Sequence, residues 1–155
     1  APVFVTQKFG NTDFARSGAY KGQGHNGVDF RASVGSLIRA SLSGTVVGTG
    51  NTDAYRGCYS YGKWIMIRHA NGLSTLYAHL SNISVQAGDS VTTGDVIGHS
   101  GNTGYSTGPH LHFSVFASEG VQIRRLGDVK SKTNCAQAEI PVAAYSAYLD
   151  PLEYL

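Results

Sequence analysis

Short apolar or alternating runs recur through the first three quarters of the chain: Gly44–Gly48, Lys63–His69, Leu73–Ala78, Ser90-Val91, Asp95–Gly98 and His110–Phe116. Each is bounded by Gly, Asn, Asp or Ser clusters, the pattern of short strands joined by turns. Asn71-Gly72 separates two of these runs and predicts a tight hairpin with its flanking strands antiparallel. Val28-Asp29-Phe30 reads as the start of a further strand. No dozen-residue window carries a 3.6-residue apolar period before Ile140–Leu149. There Pro141 at the start and Pro151 after the end leave room for a short helix at most. The predicted class is mainly β, with Ser100–Pro109 a polar, Gly-rich loop feeding a strand and residues 120–137 an irregular surface excursion. No repeat of about 20 to 50 residues is present.

A length of 155 residues suits one compact domain, 1–155, with a single sizeable core. Charged residues are only 14% of the chain and glycine numbers 20, which describes a turn-rich, weakly charged surface. A net charge of +2 without a basic run argues against nucleic acid as a partner. The apolar runs are far shorter than a bilayer span, which argues against membrane insertion. The opening Ala1–Thr6 lacks the basic start and long apolar run of an export signal and is expected to be a mature or trimmed start. Cys58 and Cys135 permit one disulfide in an oxidising space; two separate thiols are the alternative.

Candidate chemistry centres on histidine. On a strand, residues i and i+2 share a face, so His110-Leu111-His112 projects two imidazoles together. A catalytic zinc site takes three His or carboxylate ligands and leaves a fourth position open. His25-Asn26-Gly27-Val28-Asp29 supplies another His and an Asp on a turn running into a strand, which can aim both side chains at one point. Taken singly, either motif is more often ordinary surface or core histidine than a ligand pair.

Joined with Tyr77-Ala78-His79-Leu80 they become specific. The segments Val5–Gly10, Gly24–Phe30, Ile65–Gly72, Tyr77–Leu80, Val85–Gly98, Ser106–Phe113 and Asp150–Leu155 together resemble peptidase family M23, the lysostaphin and LytM type of zinc peptidase that cuts peptides in bacterial peptidoglycan. The resemblance implies a LytM-like fold of the duplicated hybrid motif type, an antiparallel sheet carrying a long groove. It also implies one Zn2+ per chain held by His25, Asp29 and His112, with His79 and His110 unligated beside it. Two imidazoles and a carboxylate leave the ion a net charge of about +1, enough to bring the pKa of a bound water toward 7 and polarise a carbonyl. An imidazole can take that water's proton and pass it to the leaving amine, and a second can donate to the oxyanion. His110 is expected as the base and His79 as the oxyanion-side donor.

The other histidines, His69 and His99, are expected at strand ends or turns without a chemical role, and Trp64 in the core. Asn26 and Gly27 are expected to shape the ligand turn, while Tyr55 and Tyr105 sit in loops that could wall a groove. The reading is a secreted or periplasmic monomer of the cell envelope acting on peptidoglycan peptides, at D-Ala-to-diamino-acid cross-links more than at Gly-Gly bridges. Its rivals are a non-hydrolytic wall-binding or amidase-regulating module of the same type, and a structural or carbohydrate-binding β module that holds no zinc tightly.

Overall fold

The computed structural model describes residues 4–10, 24–55, 58, 60–125 and 134–154. Its strands are β1 (Val5–Gln7), β2 (Val28–Arg31), β3 (Leu37–Arg39), β4 (Gly44–Asn51), β5 (Lys63–His69), β6 (Leu73–Ile83), β7 (Ser90–Val91), β8 (Val96–Ser100), β9 (His110–Ala117), β10 (Val121–Arg125), β11 (Glu139–Ala143) and β12 (Tyr148–Leu149). Ten of them form one sheet in the order β1-β2-β9-β6-β5-β4-β7, with β12 on β9 and β8 bridging β6 to β3. Every pairing is antiparallel. The mainly β expectation holds, and Asn71-Gly72 turns β5 into β6 as the hairpin signal predicts.

Strand parity sorts the chain onto two faces. On β9, Phe113 and Val115 point into one core with Tyr77, Leu80, Ile65 and Ile67, closed by Ile38, Val91 and Ile97 from the smaller strands. Phe116, on the opposite face, packs with Trp64, Met66, Leu76 and Ala78 in a second cluster. Trp64 is fully buried as expected, and its indole N–H donates to the Glu139 carbonyl at 3.1 Å.

The last third departs from the sequence expectation in two places. Part of the supposed excursion is strand β10, and the first four residues of the stretch read as room for a short helix, Ile140–Ala143, lie in strand β11, paired with β10 from Val121↔Ala143 to Arg125↔Glu139. The physical reason is tertiary: Val121, Ile123 and Ala143 gain burial by covering the Trp64 cluster, which outweighs weak local propensity. Pro141, which cannot donate to a ladder, is accommodated on this two-stranded ribbon. The short helix that the two prolines leave room for is a single turn, Tyr145–Ala147, before β12. Residues 126–133 of the excursion lie outside the described residues.

Cys58 and Cys135 form a disulfide with Cα atoms 5.3 Å apart, 77 residues distant in sequence. The bridge ties the segment preceding β5 to the one preceding β11.

Candidate active site

The β2–β9 ladder sets the first part of the site. Asp29 lies directly opposite His112 in the register, so their side chains share a face, and Asp29 Oδ1 is 2.9 Å from His112 Nδ1. His25 enters from the turn before β2, where its backbone exchanges two hydrogen bonds with Gly10. Its Nδ1–H donates to the Lys8 carbonyl at 2.9 Å, which turns the bare Nε2 inward to 3.3 Å from Asp29 Oδ1 and 3.2 Å from His112 Nδ1. Gly27 permits this approach, because a Cβ there would lie 2.4 Å from the Phe113 carbonyl and 2.8 Å from His112 Cε1. Thus Asn26-Gly27 shapes the turn as the sequence suggests.

His112 Nε2 meets the Ser114 hydroxyl at 2.8 Å. In the tautomer whose Nε2–H donates to Ser114, the Nδ1 lone pair faces a carboxylate oxygen and the lone pair of His25. Three electron-pair donors then converge with separations of 2.9, 3.2 and 3.3 Å. A tetrahedral ion with bonds of about 2.0 to 2.1 Å has ligand-to-ligand edges of about 3.3 Å, so this donor set fits zinc. The triad of His25, Asp29 and His112 is the grouping among the described residues suited to hold a metal ion, and all three are buried. Burial opposes the charge on Asp29, yet the two imidazoles set against it, His112 and His25, prevail and hold its carboxyl well below the usual range. Burial likewise pushes the His112 imidazole downward, keeping it neutral and able to ligate.

His79 arrives by a different route. Strand alternation would send it to the face opposite Ala78, into the core beside Tyr77. Instead β6 bulges: Ile65 faces Tyr77 but Lys63 faces Leu80, leaving one extra residue on β6. His79 takes φ +60, the positive-φ non-glycine residue among those described. The bulge brings its ring 4.7 Å from that of His110 and 5.9 Å from that of His112. Its Nδ1–H donates to the Thr103 carbonyl at 2.7 Å, and the Nδ1–H of His110 donates to the Gly108 carbonyl at 2.8 Å. Both imidazoles therefore turn Nε2 toward the cluster, and His110 Nε2 stands 3.7 Å from Asp29 Oδ1. Burial, reinforced by His112 and His110, lowers the His79 pKa to about 3.

The five residues singled out from sequence thus come together. His69 does not join them; its two nitrogens engage the Ser43 carbonyl and the Thr75 hydroxyl. His99 contacts Asn82 instead. Tyr105 is half exposed, and its amide is held by the Ser60 carbonyl. Sequence reasoning missed Tyr61, whose ring lies 5.8 Å from that of His112 and whose hydroxyl accepts from Asn26 Nδ2 at 3.0 Å. It missed Ser114 as well, although the i+2 alternation from His112 points to it.

An antiparallel sheet that gathers two imidazoles and a carboxylate around one point, with two more imidazoles beside them, has the makings of a metallohydrolase centre. The sequence model of peptidase family M23 matches residues 23–124, and the chain belongs to that family, whose members are zinc-dependent. It is 49% identical over 89 residues to the DD-carboxypeptidase/endopeptidase Mpg of Neisseria meningitidis serogroup B, a match covering 57% of this chain and 19% of that protein. It is 44% identical over 93 residues to the glycyl-glycine endopeptidase ALE-1 of Staphylococcus capitis, covering 59% and 24%. The chain therefore spans about a fifth to a quarter of these curated relatives. Among solved structures, the catalytic domain of the antimicrobial peptidase lysostaphin from Staphylococcus simulans superposes with a TM-score of 0.69 at 29% identity, over 97% of this chain and 90% of that one.

Proposed function

We propose that this chain is the catalytic domain of a zinc-dependent endopeptidase that hydrolyses peptide bonds in bacterial peptidoglycan. The observation that carries the reading is the convergence of His25, Asp29 and His112 as three electron-pair donors with zinc-like separations, with the Nε2 atoms of two further imidazoles turned to the same point. When bound, one zinc per chain supplies Lewis acidity that polarises the scissile carbonyl and acidifies the attacking water.

The remaining work falls to this chain's side chains. Asp29 stays ionised and binds without a proton to displace. The His25 and His112 rings are oriented by the Lys8 carbonyl and the Ser114 hydroxyl, the outer partners that fix which nitrogen ligates. His110, with its Nδ1–H taken by Gly108, offers a bare Nε2 that accepts the proton of the attacking water and returns it to the leaving amine. His79 faces the oxyanion side. With Nδ1–H committed to Thr103 it donates from Nε2 only after taking up a proton from solvent, so its donor role requires the negative charge developing in the transition state to raise a pKa that burial holds low.

The bond we favour is the D-Ala-to-diamino-acid cross-link. Slightly higher identity to a DD-endopeptidase than to a glycyl-glycine endopeptidase supports that choice, as does the disulfide, which suits an oxidising space such as the periplasm. We place the working protein outside the cytoplasm, acting as a monomer on peptidoglycan peptides. Among the described residues no helix is long and apolar enough to cross a membrane.

The test is mass spectrometry of fragments released from two peptidoglycans, one directly cross-linked and one glycine-bridged, with a chelator and after zinc is restored. Zinc-dependent fragments from the directly cross-linked wall are expected. Fragments from the glycine-bridged wall alone would reverse the bond, and none from either despite bound zinc would point to a non-hydrolytic module.

A further inference from the structure

We propose that Thr103 is a positioning residue for His79, clamping the bulge that carries it and, through its own carbonyl, fixing which nitrogen that imidazole presents. The proposal rests on His79 taking part in catalysis. Three contacts of this one residue converge on the bulge. Its carbonyl accepts the His79 Nδ1–H at 2.7 Å. Its hydroxyl donates to the Leu80 carbonyl at 2.7 Å and accepts the Lys63 amide at 3.1 Å. Leu80 follows His79 directly, and Lys63 is Leu80's partner across β5 and β6 where the register slips. One side chain thus holds both strands at the irregularity while the adjoining carbonyl holds the ring displaced by it.

A bulged residue at positive φ is a strained element that persists only when its surroundings over-determine it. The surroundings here are two interlocked loops. The His79 amide donates to the Tyr61 carbonyl at 2.8 Å, and the Tyr105 amide donates to the Ser60 carbonyl at 2.7 Å. Between them Gly104, at φ +76, passes so close that a Cβ would lie 2.2 Å from the Ser60 carbonyl. Its amide donates to Asp53 Oδ2 at 2.9 Å, fastening the peptide that follows Thr103 to the turn Thr52–Ala54. Asp53 is therefore a second support of the same carbonyl. The hydrogen bonds described for the His25, Asp29 and His112 side chains run to Lys8, Ser114 and one another, so loosening the clamp at Thr103 or Asp53 should leave zinc binding alone and disturb turnover.

The experiment compares wild type, Thr103→Val, Thr103→Ser, Asp53→Ala and His79→Ala on a soluble cross-linked muropeptide dimer, with kcat and KM separated and zinc per chain measured on each protein. Thr103→Val keeps the shape and removes the hydroxyl. Its kcat is expected to fall on the order of 10- to 100-fold, as for a misplaced catalytic group, with KM within about twofold and zinc unchanged. Thr103→Ser should recover most of that loss, and Asp53→Ala should lower kcat by a smaller factor in the same direction. Nitrogen-15 spectra of the histidines should show His79 as a single Nδ1–H tautomer in wild type and as mixed tautomers in Thr103→Val. Wild-type kcat in Thr103→Val, a loss that Ser does not repair, or loss of zinc overturns the proposal. Should Thr103→Val fail to fold, Asp53→Ala decides: unchanged kcat and an unchanged His79 spectrum overturn it. Full activity in His79→Ala would instead refute the catalytic reading of His79.

Discussion

The two halves of the site are built on different principles. His25, Asp29 and His112 are delivered by ordinary geometry, in which cross-strand register places Asp29 opposite His112 and a turn closed by the Gly10 bridge adds His25. His79 and His110 are instead held by backbone carbonyls of one loop, Thr103 and Gly108, and His79 depends on a bulge that defeats strand alternation. On the proposed reading, the half that would bind metal is fixed by the regular lattice of the sheet, and the half that would move protons has its rings oriented by a loop. Damage to the first half should therefore cost metal, and damage to the second should cost turnover with metal retained.

The largest expected effect is on the ligands. Asp29→Ala or His112→Ala removes one of the three proposed donors, so zinc should be lost on dialysis and peptidoglycan hydrolysis should fall by at least about a thousandfold. Zinc analysis and turbidity clearance check both.

Next in size is acid sensitivity of the zinc-free chain. The fold lowers the His79 pKa from 6.5 to about 3, so between those values the unfolded chain takes up a proton that the native state refuses. Stability is then lost progressively as pH falls below 6.5. Asp29 adds to this in the same direction, since its depressed pKa contributes stability above 3.8 that disappears on further acidification. Urea midpoints at pH 7 and 4 should show the drop, and His79→Gln, which cannot titrate, should make it shallower.

Opening the disulfide tests the loop side of the comparison. Cys58→Ser with Cys135→Ser should cost about 2 to 4 kcal/mol of stability and leave the zinc content intact, because neither cysteine lies in the ladder that carries Asp29 and His112, two of the proposed ligands. The smallest effect is expected for Tyr61→Phe, which keeps the ring beside His112 and removes the hydroxyl that accepts from Asn26. Zinc affinity by chelator competition should weaken by about tenfold or less.

The same contrast governs what could be read from the chain. Strand parity makes His110 and His112 legible as a pair, and the turn before Val28 makes His25 and Asp29 legible as partners. Nothing in Tyr77-Ala78-His79-Leu80 announces the bulge, because alternation assigns His79 to the core; the family resemblance, and not periodicity, brought it to the site. Thr103 and Tyr61 stayed hidden for a related reason, since their roles come from loop contacts 24 residues away in sequence from His79 and 35 from Asn26. The β10 and β11 strands were obscured because their burial depends on Trp64 across the sheet rather than on any local pattern.

The division between binding and proton transfer is tested most directly by measuring zinc per chain and kcat together on His79→Ala and His110→Ala. Zinc near one per chain in both variants with turnover reduced by about a hundredfold or more is the predicted result. Loss of zinc from either variant, or turnover close to wild type in both, would contradict the account.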